Sequence, residues 1–277
     1  KYLFNGIFRR DGSTRFGSNY KYGNFPGFSA GWVVSKEDFW KSNKYINSLK
    51  IRAGYGVVGN DAIANFKYLA LIGGGYNYTI GNAGTITTGY APLSLENPDL
   101  QWEQTSQVDI GFDAILFKTM NLTVDYYNKK TSGILRDVNI PGYVGTANPP
   151  SDNVADMTNS GIEIELGYQK SFKGLNFSAV GNFAYNNNNV TYVAADTNFI
   201  IGDASFQSMG VVTRTGVGHS YNSFFGYQTA GIFQNMDEVN AYTNKTGGLI
   251  QPNALPGDFR WQDTNGDGTI NADDKTF

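Results

Sequence analysis

The sequence predicts an all-β protein: an antiparallel transmembrane β-barrel of which these 277 residues form only a part. Three observations predict this fold class. Apolar and polar residues alternate strictly in several segments, very short connections alternate with long ones, and charged residues are scarce. Charged residues make up 16% of the chain, against roughly 25% in ordinary soluble domains, whereas aromatic residues reach 15%. This composition is typical of strands that have one face in an apolar medium.

Alternation with a period of two residues is the strongest of these observations. In residues 107–116, every second residue is apolar or alanine, and most of the residues between them are polar or glycine. Successive side chains of a strand point to opposite faces, so this pattern predicts a strand with one apolar and one polar face. The same pattern recurs at residues 49–56, 121–126, 162–169 and 175–186, and less regularly at 28–34.

Connection lengths distinguish a membrane barrel from a soluble β-sandwich, which would show the same alternation around a buried core. Short turns are predicted near residues 118–120 and 172–174, and polar stretches cover residues 57–103, 131–160 and 187–220. Outer-membrane barrels combine short periplasmic turns with long extracellular loops in this way. Strands of about 9–11 residues are enough to cross the bilayer.

Several functional classes are excluded by composition. The chain has no cysteine, so it can have neither a disulfide nor a thiolate metal site. A net charge of −3 gives no basic surface, so nucleic acid is not an expected partner. His219 is the only histidine and lies in no nucleophile pattern, and the acidic pairs Glu163/Glu165 and Asp109/Asp113 are explained more simply as polar residues that line a barrel. We therefore do not expect an enzyme.

Six short motifs, in their order along the chain, resemble the SusC/RagA family of TonB-dependent transporters. The resemblance covers nearly the whole chain, and its specificity comes from the order of the motifs rather than from any single one. The motifs are RDGSTRFG at 10–17, YGNFPGFSAGW at 22–32, LKIRAGYG at 49–56 with GN at 59–60, LENPDLQWEQT at 95–105, NSGIE at 159–163, and PGD at 256–258 followed by DTNGDG at 263–268.

The resemblance implies a plugged barrel of about 22 strands, of which this chain would supply about half. It places the protein in the outer membrane of a Gram-negative bacterium, which the chain would cross many times. It also implies a SusD-like surface lipoprotein, outer-membrane lipid, and TonB acting through a plug as partners, with oligosaccharides or oligopeptides as substrates. Residues 1–277 would form one partial barrel domain with long extracellular loops, without the plug, the N-terminal region and the last strands.

One segment has the spacing of a twelve-residue calcium loop. Oxygen-bearing side chains stand at loop positions 1, 3, 5 and 12, although a Glu is usual at position 12, and the sixth position is a glycine. Hard oxygen ligands favour Ca²⁺ over zinc or copper, and the alternative is a merely polar turn. We expect a structural Ca²⁺ here. The candidate ligands are Asp263, Asn265, Asp267, Thr269 through its carbonyl, and Asp274.

Five aromatic residues admit two interpretations. They could stack on sugars, or they could form the aromatic girdles that outer-membrane barrels carry at both membrane interfaces, which is the interpretation we favour. These residues are Trp32, Tyr126, Tyr127, Tyr168 and Tyr185.

A rival interpretation applies to the whole chain. A secreted, soluble β-rich protein that binds glycans or serves adhesion, with a calcium loop, would share the alternating strands. It predicts solubility without detergent and an apolar face buried against other protein. It leaves the long connections unexplained.

Overall fold

The structure is a computed structural model that describes residues 1–41, 44–81, 84–138, 142–145, 148–194, 199–202 and 210–277. The chain forms two compact units, residues 1–195 and residues 196–277. Each unit is described by itself.

The first unit is built on one antiparallel sheet of seven long strands, in the order β1-β2-β3-β8-β9-β10-β11. Two small ladders, β4 with β7 and β5 with β6, lie within the connection between β3 and β8. The strands are β1 (Tyr2–Gly12), β2 (Tyr22–Val33), β3 (Ile46–Asn60), β4 (Ile72–Gly74), β5 (Tyr78–Ile80), β6 (Thr85–Thr87), β7 (Tyr90–Pro92), β8 (Glu103–Leu116), β9 (Met120–Asp137), β10 (Ser151–Phe172) and β11 (Leu175–Val193).

Strand register gives the sheet one apolar and one polar face. Ile51 pairs with Phe112, Phe112 with Val124, and Val124 with Ile164. Because paired residues in an antiparallel sheet point to the same side, these residues form an apolar row. The described residues of this unit leave the apolar face exposed. Its exposed side chains include Phe4, Phe28, Tyr55, Val108, Ile110, Tyr126, Ile162, Phe183 and Tyr185.

The last strands of the sheet are longer than the sequence pattern predicts. β9, β10 and β11 contain 18, 22 and 19 residues, so the loop predicted at 131–160 shrinks to residues 138–150. Directly beyond Tyr126 and Ile162 the apolar face turns polar, with Asn128 paired to Ser160 and Lys130 to Thr158. Main-chain pairing nevertheless continues, because cross-strand hydrogen bonds do not require apolar side chains. Alternation therefore marks only one section of each strand.

The predicted short turns are confirmed at the opposite end of the sheet. Between β8 and β9, Phe117 and Lys118 adopt left-handed backbone angles, with φ of 53° and 60°. Between β10 and β11, Gly174 has a φ of 80°. In its described residues, the connection from β2 to β3 contains one 3₁₀ turn, at Val34–Lys36. All long connections thus leave the sheet at one end.

In the part of the second unit that the structure describes, all elements are short, and its small core consists of Phe233, Val239 and Ala254, against which Tyr242 packs. The long strands among the described residues are therefore the seven of the first unit, whereas the sequence predicted about half of a 22-stranded barrel. The elements are β12 (Phe199–Ile201), β13 (Thr213–Gly216), β14 (Ser223–Phe224), β15 (Gly226–Tyr227), β16 (Thr229–Ile232), α1 (Met236–Ala241), β17 (Phe259–Trp261) and β18 (Lys275–Thr276).

Among the described residues, none of the helices has the length and hydropathy that a membrane-spanning helix requires.

The two-faced sheet predicts opposite effects of one substitution on its two faces. Ile110→Arg, on the apolar face, should destabilise the complete barrel in lipid by about 2–4 kcal/mol, because the charge would be placed in hydrocarbon. Asn182→Arg, on the polar face, is the matched control and should change stability little. Urea unfolding in lipid vesicles measures both, and equal effects would contradict the assignment of the two faces.

Candidate functional site

The polar face of the first unit carries a charged cluster that spans three strands. The Arg52 guanidinium on β3 donates two hydrogen bonds to Asp113 on β8, with Nε–Oδ2 and Nη2–Oδ1 distances of 2.9 and 3.0 Å. Its Nη2 also donates to Asp125 on β9, at 3.0 Å. The Lys50 ammonium lies 3.7 Å from Asp113. One arginine therefore holds two carboxylates in a fixed arrangement, two of its bonds forming the bidentate geometry that guanidinium favours.

Gly111 makes this arrangement possible. It pairs with Arg52 on one side and with Asp125 on the other, so it occupies the middle strand between the two charged groups. A Cβ atom at Gly111 would lie 1.9 Å from Asp125 Oδ1 and 2.6 Å from the Val124 carbonyl oxygen. Because this residue has no side chain, the guanidinium on β3 reaches over β8 to the carboxylate on β9.

A second glycine, further along the sheet, also allows a side-chain contact across a strand. Gly161 on β10 pairs with both Tyr127 and Asn186, and the Tyr127 hydroxyl donates across it to Asn186 Oδ1 at 3.1 Å. A Cβ atom at Gly161 would lie 2.6 Å from that hydroxyl. Tyr127 therefore belongs to the polar face, and its assignment to a girdle is wrong. The alternation at residues 121–126 already indicates this, because it places Tyr126 on the apolar face and the adjacent Tyr127 on the opposite one.

The polar face has a surplus of acidic groups. Its basic residues in β3 and β9 are Lys50, Arg52 and Lys129. Its acidic residues in β8, β9 and β10 are Asp109, Asp113, Asp125, Glu163 and Glu165. Glu163 and Glu165, with Asp109 and Asp113, thus lie on the polar face, as predicted.

Aromatic residues line the end of the sheet that carries the short turns. Tyr45 and Phe117 make an edge contact with ring centroids 5.9 Å apart, and Tyr168 and Phe177 lie 6.0 Å apart. Trp32, Tyr126, Tyr168 and Tyr185 are on the apolar face, as the girdle interpretation predicts.

Trp32 also fixes the adjoining turn. Its indole Nε1 donates to Glu37 Oε1 at 3.0 Å, and this hydrogen bond is the main reason that the pKa of the Glu37 carboxyl lies below its usual value. A bond to the charged form of a carboxyl favours that form. The turn between β2 and β3 is therefore tied to the aromatic end of the sheet.

A buried hydrophobic cluster lies at the opposite end of the sheet, where the long connections begin. Trp102 contacts Phe16 and Phe25, with ring centroids 5.2 and 5.5 Å apart, and Leu100 is completely buried beside them. A Cβ atom at Gly59 would lie 2.2 Å from the Phe25 ring. This cluster joins the β1–β2 connection to the end of the β3–β8 connection, and we call it the rim cluster.

The predicted calcium residues form a loop held by their own side chains. Asp263 accepts from the main-chain N–H groups of Gly266 and Gly268, at 2.7 and 2.8 Å. Asp267 accepts from the N–H and hydroxyl of Thr269, both at 2.8 Å. The Thr269 main-chain N–H is the principal cause of a lowered Asp267 pKa.

Asp274 closes this loop. Its side chain is fully buried and accepts from the main-chain N–H of Asn271 and of Thr264, at 2.8 and 2.9 Å. The bond from Asn271 is the largest cause of its lowered pKa. Among the described residues, no three acidic or histidine side chains are arranged to hold a metal ion. Calcium binding by Asp263, Asn265, Asp267, Thr269 and Asp274 stays a prediction.

The His219 side chain makes no hydrogen bond to an acidic or nucleophilic side chain among the described residues of the second unit. Its ring stacks on Phe277 at 3.8 Å between centroids. This contact gives it a packing role.

Residues 1–274 match the family model described as TonB dependent receptor-like, beta-barrel. The chain belongs to this family. TonB-dependent receptors are transporters rather than enzymes, and their barrels lie in the outer membrane of Gram-negative bacteria. The antiparallel barrel fold and the outer-membrane location predicted from the sequence are thus confirmed, and family membership decides against a secreted soluble protein.

The curated relatives support the SusC/RagA-like assignment. TonB-dependent receptor P39 from Formosa agariphila is 38% identical over 88% of this chain and 22% of its own length. TonB-dependent receptor SusC from Bacteroides thetaiotaomicron is 28% identical over 99% of this chain and 26% of its own length. The chain therefore spans about a quarter of the length of these relatives.

Solved structures show the same fold. A chain of the RagAB peptide importer in its "closed-closed" state superposes with a TM-score of 0.73 at 25% identity, over 99% of this chain and 28% of that chain. The "open-open" state of the same importer gives a TM-score of 0.74 at 25% identity, over 99% and 27%. The resemblance to the SusC/RagA family is confirmed.

The contact between Arg52 and Asp125 across Gly111 can be tested by adding one methyl group to this glycine. In the complete receptor, Gly111→Ala should lower the unfolding free energy by about 1–3 kcal/mol, because the Cβ atom would collide with main chain and with Asp125. Gly56→Ala is the matched control, since a Cβ atom there meets nothing within 4 Å. Its expected effect is within about 0.5 kcal/mol. Similar midpoints for both variants in thermal unfolding would contradict the requirement for a glycine at position 111.

Proposed function

We propose that this chain forms part of the barrel wall of a SusC-like importer, which takes up oligosaccharides or oligopeptides together with a SusD-like surface lipoprotein. The observation that carries this proposal is the two-faced sheet of seven long strands, in a chain that matches the receptor barrel over residues 1–274. TonB would supply energy through the plug of the complete receptor. Outer-membrane lipid would cover the apolar face.

The polar face would line the interior of this importer. Arg52, Asp113 and Asp125 hold one another in place, so their charges stay fixed while polar material moves past them. Fixed, prepaired groups cost little reorganisation when a solute or another protein segment approaches. The barrel wall would therefore guide and solvate the substrate. The conformational changes of transport would belong to other parts of the receptor.

The choice between the two substrate classes needs an uptake experiment. In cells that lack the complete receptor, uptake of either labelled oligosaccharides or labelled oligopeptides should fall at least tenfold. Reintroducing the receptor should restore it. Uptake of the unaffected class is the internal control. Unchanged uptake of both classes in cells without the receptor would contradict the proposed import function.

We also propose that the loop from Asp263 to Asp274 holds a structural Ca²⁺. Supporting this is its oxygen-rich spacing, with side-chain oxygens at loop positions 1, 3, 5 and 12 and a glycine at position 6. The cation would replace hydrogen bonds among the loop's own groups. Its role would be to fix the loop rather than to take part in transport.

Proteolysis in the presence and absence of Ca²⁺ tests this second proposal. Calcium should slow cleavage of the complete receptor within the loop at least fivefold, and Asp267→Ala should abolish the protection. Asp237→Ala, an exposed carboxylate outside the loop, is the matched control and should retain it. Identical cleavage with Ca²⁺ and with a chelator would count against a cation site.

A further inference from the structure

Charge is distributed unequally between the two faces of the sheet. The polar face carries both signs, with a surplus of carboxylates. Between the short turns and the bulges of β10, the charged residues that the described sheet directs outward, with its apolar face, are all basic. They are Arg10 on β1, Lys130 on β9 and Lys170 on β10. A surface that carries cations alone is complementary to an anionic neighbour.

Arg10 lies just beyond the apolar part of β1. Phe8, two residues earlier, is the last apolar side chain on the outward face of this strand and is 67% exposed. From Phe8 to Arg10 the strand advances about 6.6 Å, which is a rise of about 5 Å at the tilt usual in such barrels. The headgroup region extends roughly 5–7 Å beyond the hydrocarbon on each side. Arg10 therefore lies at the depth of the lipid headgroups.

The leaflet at this depth is the outer one. Arg10 is close to the end of β1, which leads into the connection to β2, and the short turns lie at the opposite end of the sheet. Outer-membrane barrels direct their longer connections to the outside of the cell.

A glycine shapes the surroundings of Arg10. Gly12 pairs with Tyr22 on β2, and a Cβ atom at Gly12 would lie 2.8 Å from Tyr22 Cε1. The tyrosine ring therefore leans over the main chain of β1. Arg10 Cζ lies 4.9 Å from the centre of this ring, and Lys21 Nζ lies 5.9 Å from it. Two cations are thus gathered around one aromatic ring.

These two cations lack an acidic partner in the part of the chain that the structure describes. Arg9, which neighbours Arg10 but lies on the opposite face, is paired with Asp11. The charged groups of Arg10 and Lys21 instead contact the Tyr22 ring. Like charges near one ring repel each other, and an anion bound to both would remove this repulsion.

Phosphate is the anion that fits these groups. A cation–π contact holds the guanidinium in position and leaves its N–H groups free to donate to another acceptor. Phosphate oxygens accept paired hydrogen bonds from guanidinium, and an ammonium binds phosphate as a point charge. The site thus offers two different cations to one phosphate group.

The apolar surface beside the cations indicates a lipid phosphate. Phe8 and Phe4 lie on the same face of β1, towards the hydrocarbon, and Phe4 is 82% exposed. A free phosphate ion or a polar substrate gains nothing from these rings, whereas the acyl chains of a lipid would cover them.

The strand order keeps this surface free for lipid. A barrel closes by pairing at the two edges of its sheet, and β1 is one edge of the described sheet. Further strands of the receptor would therefore lie beside β1 and not over its outward face.

We propose that Arg10, Lys21 and Tyr22 bind the phosphate group of an outer-leaflet lipid, whose acyl chains lie against Phe8 and Phe4. The inference goes beyond import. It depends on the outward face of the barrel and not on the transported substrate.

Lipid binding to the complete receptor tests this site. The purified receptor in detergent micelles would be mixed with lipid A that carries one phosphate, and bound lipid counted by native mass spectrometry. Arg10→Gln combined with Lys21→Gln should remove one bound lipid from each receptor, because the phosphate loses both cations. Heat-dependent gel migration would confirm that the barrel is folded. An unchanged lipid count in this double variant would overturn the site.

Arg9→Gln is the matched control. It removes the adjacent cation from the opposite face of the same strand, and the lipid count should stay that of the unmodified receptor. A loss equal to that of the double variant would overturn a site on the outward face.

Two further arms identify the ligand. Lipid A without its phosphate should bind the unmodified receptor with one lipid fewer, and an equal count for both lipids would overturn the role of phosphate. An excess of inorganic phosphate should leave the lipid bound, and its displacement would assign the site to the free ion. Since no arm involves a substrate, these results are independent of the uptake experiment.

Discussion

A main-chain amide group in hydrocarbon has no water to bond, so a strand can cross a membrane only when neighbouring strands pair both of its edges. In the described sheet, β2, β3, β8, β9 and β10 each have a partner on both sides. Pairing brings the strands side by side, the alternating pattern and the short turns set their register, and the register decides which side chains share a face. The separation of the apolar from the polar face, and hence any transport role, depends on it.

The polar face shows how register creates contacts that span more than one strand. Gly111 and Gly161 each stand in the middle of a row whose flanking residues are long and polar. With no side chain in between, Arg52 meets Asp125, and the Tyr127 hydroxyl meets Asn186. Glycine in these strands therefore serves polar pairing, in addition to any role in bending the wall. Such pairs give the inner surface of a barrel fixed charges without a packed core.

The sequence was enough to predict the fold class, the two faces and the short turns, because alternation and turn residues are local signals. It could not predict where β9 and β10 end, since their outer ends continue by main-chain pairing after the apolar pattern stops. Tyr127 was grouped with the girdle by residue type alone, although the alternation at residues 121–126 places it on the face opposite Tyr126. The Arg52 cluster was missed altogether, since residues 52, 113 and 125 are brought together only by the register of three strands. The candidate calcium residues were chosen by spacing and calcium binding stays a prediction, while the structure adds the hydrogen bonds that hold their loop.

The most direct test of the two-faced wall is site-by-site accessibility along β8. This chain has no cysteine. In a cysteine-free background of the complete receptor, single cysteines at successive positions from 107 to 113 can each carry a nitroxide label in lipid vesicles. Collision with lipid-soluble oxygen should be high at Val108, Ile110 and Phe112 and low at the positions between them. Uniform oxygen accessibility along the strand, or the opposite parity, would contradict the account.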